Sequence, residues 1–144
     1  MILISHRGNI SGSNLERENT GPYIQEALDQ GYEVEIDVWY KDNTLFLGHD
    51  GPKNKTNLKF ISKNSLWCHA KSIEALNYLI EQEIRCFWHQ EDDIALTYPK
   101  MLFWTYPGKK LTNRSICVHL GPKTHEIDDC YGVCSDYIST FGAK

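Results

Sequence analysis

Short apolar runs of strand length recur along this chain. They are "MILIS" (1–5), "VEIDVWY" (34–40), "TLFLG" (44–48), "LWCHA" (66–70), "RCFWH" (85–89), "MLFWTY" (101–106), "SICVHL" (115–120) and "GVCSDYI" (132–138). They are rich in β-branched and aromatic residues and are flanked by Gly, Pro, Asn or Asp, which marks them as strands. Two intervening stretches change to helical spacing. "GPYIQEALDQ" (21–30) puts Ile24, Ala27 and Leu28 on one face, with Pro22 near its start and Gly31 after its end. "SIEALNYLIEQE" (72–83) has Ser72 as N-cap and an apolar series of Ile73, Leu76, Leu79 and Ile80. Strands alternating with helices predict βα units around a parallel sheet. Beyond His89 the strands are joined by short segments with no long amphipathic helix.

Composition narrows the class. At 144 residues, with no repeat, linker or low-complexity tract, positions 1–144 read as a single domain with one core. Fifteen basic residues stand against 19 acidic ones, with no basic stripe, which argues against a nucleic-acid partner. The opening "MILIS" is too short for a signal peptide, and no apolar run reaches membrane-spanning length, so the expectation is a soluble, cytoplasmic domain without a membrane span. The five cysteines (68, 86, 117, 130, 134) are odd in number and lie mostly within apolar runs, as buried free thiols would. The spacing of Cys130 and Cys134 does not match a C-x-x-C zinc site.

The chemistry is concentrated at strand ends. His6, His49, His69, His89 and His119 each close an apolar run, and Asp136 stands near the end of another. Any one of them alone reads as structural. In a parallel βα architecture all C-terminal strand ends share one side, so the five imidazoles are expected on a common rim, where barrels carry their sites. In "EVEIDVW" the acids Glu33, Glu35 and Asp37 alternate with Val34, Ile36 and Val38, so a strand points the acids to one face and the aliphatics to the other. With helices covering the aliphatic face, the carboxylates turn inward and need a cation to relieve their repulsion. A divalent ion on Glu35 and Asp37 answers that need, leaving Glu33, deeper in the strand, to pair with a base.

"HRGN" (6–9), "ENT" (18–20), "EIDVW" (35–39) and "LGHD" (47–50), in this order, resemble the signature of the glycerophosphodiester phosphodiesterase family, within the phospholipase-C-like phosphodiesterase barrels. "HAK" (69–71) is similar to the family's third-strand E-x-K segment and "CSDY" (134–137) to its closing strand; residues 72–131 carry only weak similarity. The resemblance implies His6 and His49 as catalytic histidines and Arg7 as the phosphate-contacting arginine. It implies Glu35 and Asp37 as metal ligands, Glu18 and Asn19 as the pair supporting the site, with Asn19 also a substrate contact, and Lys71 as the phosphate-facing lysine. The family's third acidic ligand is replaced here by His69. Imidazole is a poor ligand for magnesium or calcium and suits manganese, zinc or iron, so among Mg, Ca and Mn the cofactor's identity stays open. A full (β/α)8 barrel needs about 250 residues, so the fold expected is an abbreviated TIM-like (β/α) barrel with few helices in its second half.

The chemistry is coherent with that expectation. Cleaving a phosphodiester requires a base at the attacking oxygen and an acid at the leaving one, and two imidazoles facing across a pocket meet both needs. Arg7, Lys71 and a cation would neutralise the phosphoryl oxygens, so the first strand aims base and phosphate clamp together. Of the four tryptophans, Trp104 in "FWTYPG" is the one read as a substrate contact; the others read as core. The partner expected is a small-molecule phosphodiester, with "MLFWTY" and "ICVHL" apolar on both faces and inviting self-association as a homo-oligomer. Two rivals remain: a degenerate relative that binds a phosphorylated ligand without turnover, and a metal nuclease, which the acidic balance disfavours.

Overall fold

The computed structural model describes residues 1–127 and 129–142. Strand β1 (Ile2–His6) leads through helix α1 (Gly21–Asp29) to β2 (Glu33–Lys41), which lies parallel to β1 with His6 beside Glu35. The far end of β2 turns through Asp42 and Asn43, both left-handed, into β3 (Thr44–Leu47), as a two-residue hairpin loop requires. Strand β4 (Asn54–Thr56) extends this hairpin, and the single turn α2 (Leu58–Ile61) leads into β5 (Leu66–Ala70), parallel to β2 with His69 beside Asp37. Helix α3 (Ile73–Glu81) precedes β6 (Cys86–Phe87). Then come β7 (Ile94–Tyr98), β8 (Phe103–Thr105), β9 (Ser115–Val118), β10 (Gly132–Ser135) and the terminal turn α4 (Ser139–Gly142).

The order β1-β10-β9-β8-β7-β6-β5-β2, with β2 pairing back to β1, closes eight strands into a barrel, and β3 and β4 lie outside the ring. The fold is thus mixed α/β with few helices, and the expected barrel is present. It departs from the expected TIM-like (β/α) pattern in being a β-barrel of strands, one of which, β7, runs antiparallel to both neighbours. Chain length between strands explains the reversal. Six residues separate β6 from β7 and four separate β7 from β8, whereas a parallel crossover takes a dozen or more. Helices α1 and α3 pack chiefly over β2, β5 and β6. The run "TLFLG" forms β3 of the outer hairpin, and β4 and β7 lie outside the runs read as strands from the sequence.

Alternation along β2 sorts its side chains as expected. Val34, Ile36 and Val38 join Ile24, Ala27 and Leu79 in the layer beneath the helices. The opposite face looks into the barrel, whose interior is filled by Ile4, Trp67, Phe87, Trp104, Ile116 and Cys134. Burying an aliphatic or Phe side chain of this kind is worth about 1.5–3 kcal/mol, so the two layers hold the ring rigid. Ser72 caps α3 by accepting from the Ala75 N–H, yet Ile73 and Ile80 of its apolar series are exposed, while Ala75 and Leu79 are buried. Among the described residues no helix is long and apolar enough to cross a membrane.

Candidate active site

The site begins with the turn that ends β1. Arg7 and Gly8 are both left-handed, at φ 58° and 95°, and a Cβ on Gly8 would stand 2.9 Å from Tyr23 Cδ1 of α1. Only glycine lets the chain turn this tightly against the helix. The turn is held by backbone bonds from Arg7 N–H to the Glu35 carbonyl and from Asn19 N–H to the Arg7 carbonyl. It projects His6 and Arg7 together to the C-terminal rim, as read from "HRGN".

Strands β2 and β5 supply the floor. Glu35 and Asp37, 2% and 0% exposed, share the inner face with His69. One ligating atom from each of the three falls within 4.8 Å of the others. His69 Nε2 lies 3.0 Å from the His89 carbonyl oxygen, to which it can only donate, so Nδ1 is the nitrogen that faces the acids. Nδ1 is 3.2 Å from Asp37 Oδ1 and 3.7 Å from Glu35 Oε1. Two buried carboxylate oxygens, Glu35 Oε2 and Asp37 Oδ1, have no hydrogen-bond partner. Orphaned oxygens beside an oriented imidazole fit a divalent cation held by two oxygens and one nitrogen, a donor set that favours manganese, zinc or iron over magnesium or calcium.

The two carboxyls are pushed in opposite directions. Burial, followed by repulsion from Asp37, raises the Glu35 pKa. Burial also opposes ionisation of Asp37, but the neighbouring His49 and His69 rings and the charge of Arg7 outweigh it and hold Asp37 well below the usual carboxylate range. Arg7 Nε is 3.0 Å from Asp37 Oδ2, and Lys71 Nζ is 3.8 Å from Oδ1. Asn19 clamps the same residue from behind, donating to Asp37 Oδ2 at 2.9 Å while its own Oδ1 accepts the Asp37 N–H at 3.0 Å. Its amide is therefore engaged on Asp37, and its role is to hold that carboxylate. Glu18 receives Arg7, Asn9 and Ser13, which fixes the guanidinium from the other side.

His6 and His49 both line a cavity of about 360 Å³ at the barrel mouth, together with Arg7, Glu35, His69, Lys71 and Trp104. The Nδ1 of His6 bonds Asp136 Oδ1 at 2.7 Å, leaving Nε2 3.8 Å from Glu35 Oε2. Burial works against a proton on His6, yet the Asp136 bond and the Glu35 charge raise its pKa. His49 comes from the loop after β3 rather than from a barrel strand. Arg7 Nη2 meets its Nδ1 at 2.7 Å, so that nitrogen accepts and Nε2 carries the ring proton.

Of the five strand-end histidines, four reach this cavity and one does not. His89 lines it beside Tyr106, with burial and the nearby His69 lowering its pKa. His119 turns outward, its Nε2 3.1 Å from the Pro122 carbonyl and its ring edge on Phe141, because the inward position on β9 belongs to Val118. Glu33 pairs with a base, as expected: Arg85 Nη2 lies 2.8 Å from its Oε2, which also accepts from the Trp67 indole. Sequence reasoning missed Asn9, fully buried and donating to both Glu18 and Asp136, although it closes the "HRGN" run. It also missed Tyr106, Val118 and Leu120 on the cavity wall, for which no local pattern exists.

Comparison with family models, with curated proteins and with solved structures finds no match to this chain.

Proposed function

We propose that this chain is a metal-dependent phosphodiester hydrolase of the glycerophosphodiester phosphodiesterase kind, on a closed eight-stranded β-barrel with few helices, acting on a glycerophosphodiester-like small molecule or lipid headgroup. The reading rests on one observation: His6 and His49 line a single cavity, with Arg7 between them, over the Glu35–Asp37–His69 cluster.

Arg7 and Lys71 attract the phosphate. His6 Nε2 takes the proton of the attacking oxygen, which belongs to water or to a neighbouring hydroxyl of the substrate. As the new P–O bond forms, the bond to the leaving oxygen breaks, and that oxygen keeps the bonding pair and takes a proton from the His49 imidazolium, which forms when Arg7 leaves Nδ1 for the phosphate and Nδ1 binds a proton. Water yields a phosphomonoester and an alcohol; an internal hydroxyl yields a cyclic phosphate and the alcohol. Asp136 holds His6 in the tautomer that presents Nε2, and Asn19 holds Asp37. A divalent cation on Glu35, Asp37 and His69 would supply Lewis-acid neutralisation at the phosphoryl oxygens.

The test is turnover of a panel of phosphodiesters with manganese, magnesium and calcium. Manganese-supported hydrolysis is expected, falling about 100- to 10,000-fold in His6→Ala or His49→Ala with metal binding retained. Hydrolysis of no diester with any ion overturns the reading. A second reading, a phosphate-binding module without turnover, is favoured by the internal cations already on Asp37, where Arg7 and Lys71 stand within 3.8 Å. It predicts binding of phosphorylated ligands that is unaffected by added metal.

A further inference from the structure

We propose, resting on the hydrolase reading, that the substrate carries two unlike alcohol arms: a hydroxylated arm on one side of the phosphate and a flat, apolar arm on the other. Two hollows meet at Arg7 and His49, which line both. The barrel-mouth cavity, about 360 Å³, is walled beyond the polar cluster by Trp104, Tyr106, Pro107, Val118 and Leu120, with Gln90 and His89 as the other groups on that side. The second hollow, about 380 Å³, is lined by Glu18, Asn19, Asp50, Lys53 and Asn54. A phosphate held at the shared boundary by Arg7 therefore sends one ester arm towards carbon and the other towards donors and acceptors.

The apolar wall is rigid and flat. The Trp104 ring stacks on Phe87 at 4.2 Å between centroids and leans on Trp67 at 5.9 Å, so an occupant cannot displace it. At the mouth, Tyr106 and Leu120 stay 45% and 42% exposed, large apolar surfaces that no described element covers. An indole face flanked by a second ring and a branched aliphatic residue suits a planar apolar group, which buries area on both its faces. A glycerol-like arm gains little there, because its hydroxyls would give up water for carbon. That arm finds partners in the Lys53 and Asp50 hollow.

The experiment is calorimetric titration of the manganese-loaded and metal-free protein with inorganic phosphate, glycerol 3-phosphate and phenyl phosphate. Phenyl phosphate is expected to bind at least about tenfold more tightly than inorganic phosphate. In Tyr106→Ser/Leu120→Ser that advantage should shrink to about twofold or less while inorganic phosphate binds as before. Lys53→Ala should weaken glycerol 3-phosphate alone. Equal affinities, or an aryl preference that survives the double variant, overturn the proposal. Diester turnover without aryl preference would defeat this subsite and leave the hydrolase standing; aryl preference without turnover of any diester would do the reverse. Failure of all three ligands to bind, with no turnover of any diester, defeats both.

Discussion

The Nδ1 of His6 and Oδ1 of Asp136 lie 2.7 Å apart, although 130 residues separate them in the chain. Closure of β10 on β1 makes the contact, since Ser5 pairs with Ser135 in that register and the next residues of both strands emerge together at the rim. A carboxylate at Nδ1 leaves Nε2 as the proton-exchanging atom facing the cavity.

Asp136→Asn should therefore cost catalysis more than binding. An amide can accept from His6 but can also donate to it, so the ring loses its preferred tautomer. Turnover is expected to fall by about 100-fold or more, with metal affinity within about twofold of the parent by calorimetry. An equal loss of both would show Asp136 to be a structural strut.

The same pair sets a pH window for stability. Burial opposes ionisation of Asp136, but bonds from His6 and Asn9 hold its pKa below the ordinary value. A depressed carboxyl stabilises the fold above its unfolded pKa of about 3.9, and that stabilisation is lost as pH falls through the folded value. The His6 pKa is raised despite burial, so its contribution is full below about 6.5 and is lost as pH rises through the folded value. Thermal melts of the metal-free protein should show the Asp136–His6 contribution greatest between about pH 4 and 6.5. Asp136→Asn should flatten both flanks; an unchanged profile would remove the pair from the account.

In the hydrolase reading proposed above, His69 sets the metal preference. Replacing its nitrogen by a carboxylate restores an all-oxygen site, so His69→Glu should shift preference from manganese towards magnesium. The measurement is the ratio of calorimetric affinities for the two ions, with activity as a second readout. A ratio that does not move places His69 outside the coordination sphere.

Self-association is expected through the outer face of β7. Ile94 and Leu96 project there, 48% and 50% exposed, away from the surface on which α1 and α3 chiefly pack. A second copy laid on that face would complete the missing outer layer. Sedimentation at tens of micromolar (about the range in which moderate interfaces populate) should show a dimer that Leu96→Lys dissociates. A clean monomer in the parent rules it out.

The first half of the fold was legible because its signals are local. The alternation of Glu33, Glu35 and Asp37 with Val34, Ile36 and Val38 states which face is which within one strand, and the Ser72 cap announces its own helix. His6, Arg7, His49 and His69 stood out for the same reason, each ending a readable run. What sequence left dark depends on closure of the ring. β7 runs backwards because its two connections are too short to cross over, and "DIALTY" carries no mark of direction. His119 faces outward because the pairing of β9 with β10 gives the inward position to Val118. The partner of His6, the carbonyl that orients His69 and the wall formed by Tyr106 and Leu120 all come from segments far apart in the chain. Periodicity over a few residues fixes the face on which a side chain stands. Only the closed barrel, by setting register between distant strands, decides what that side chain meets.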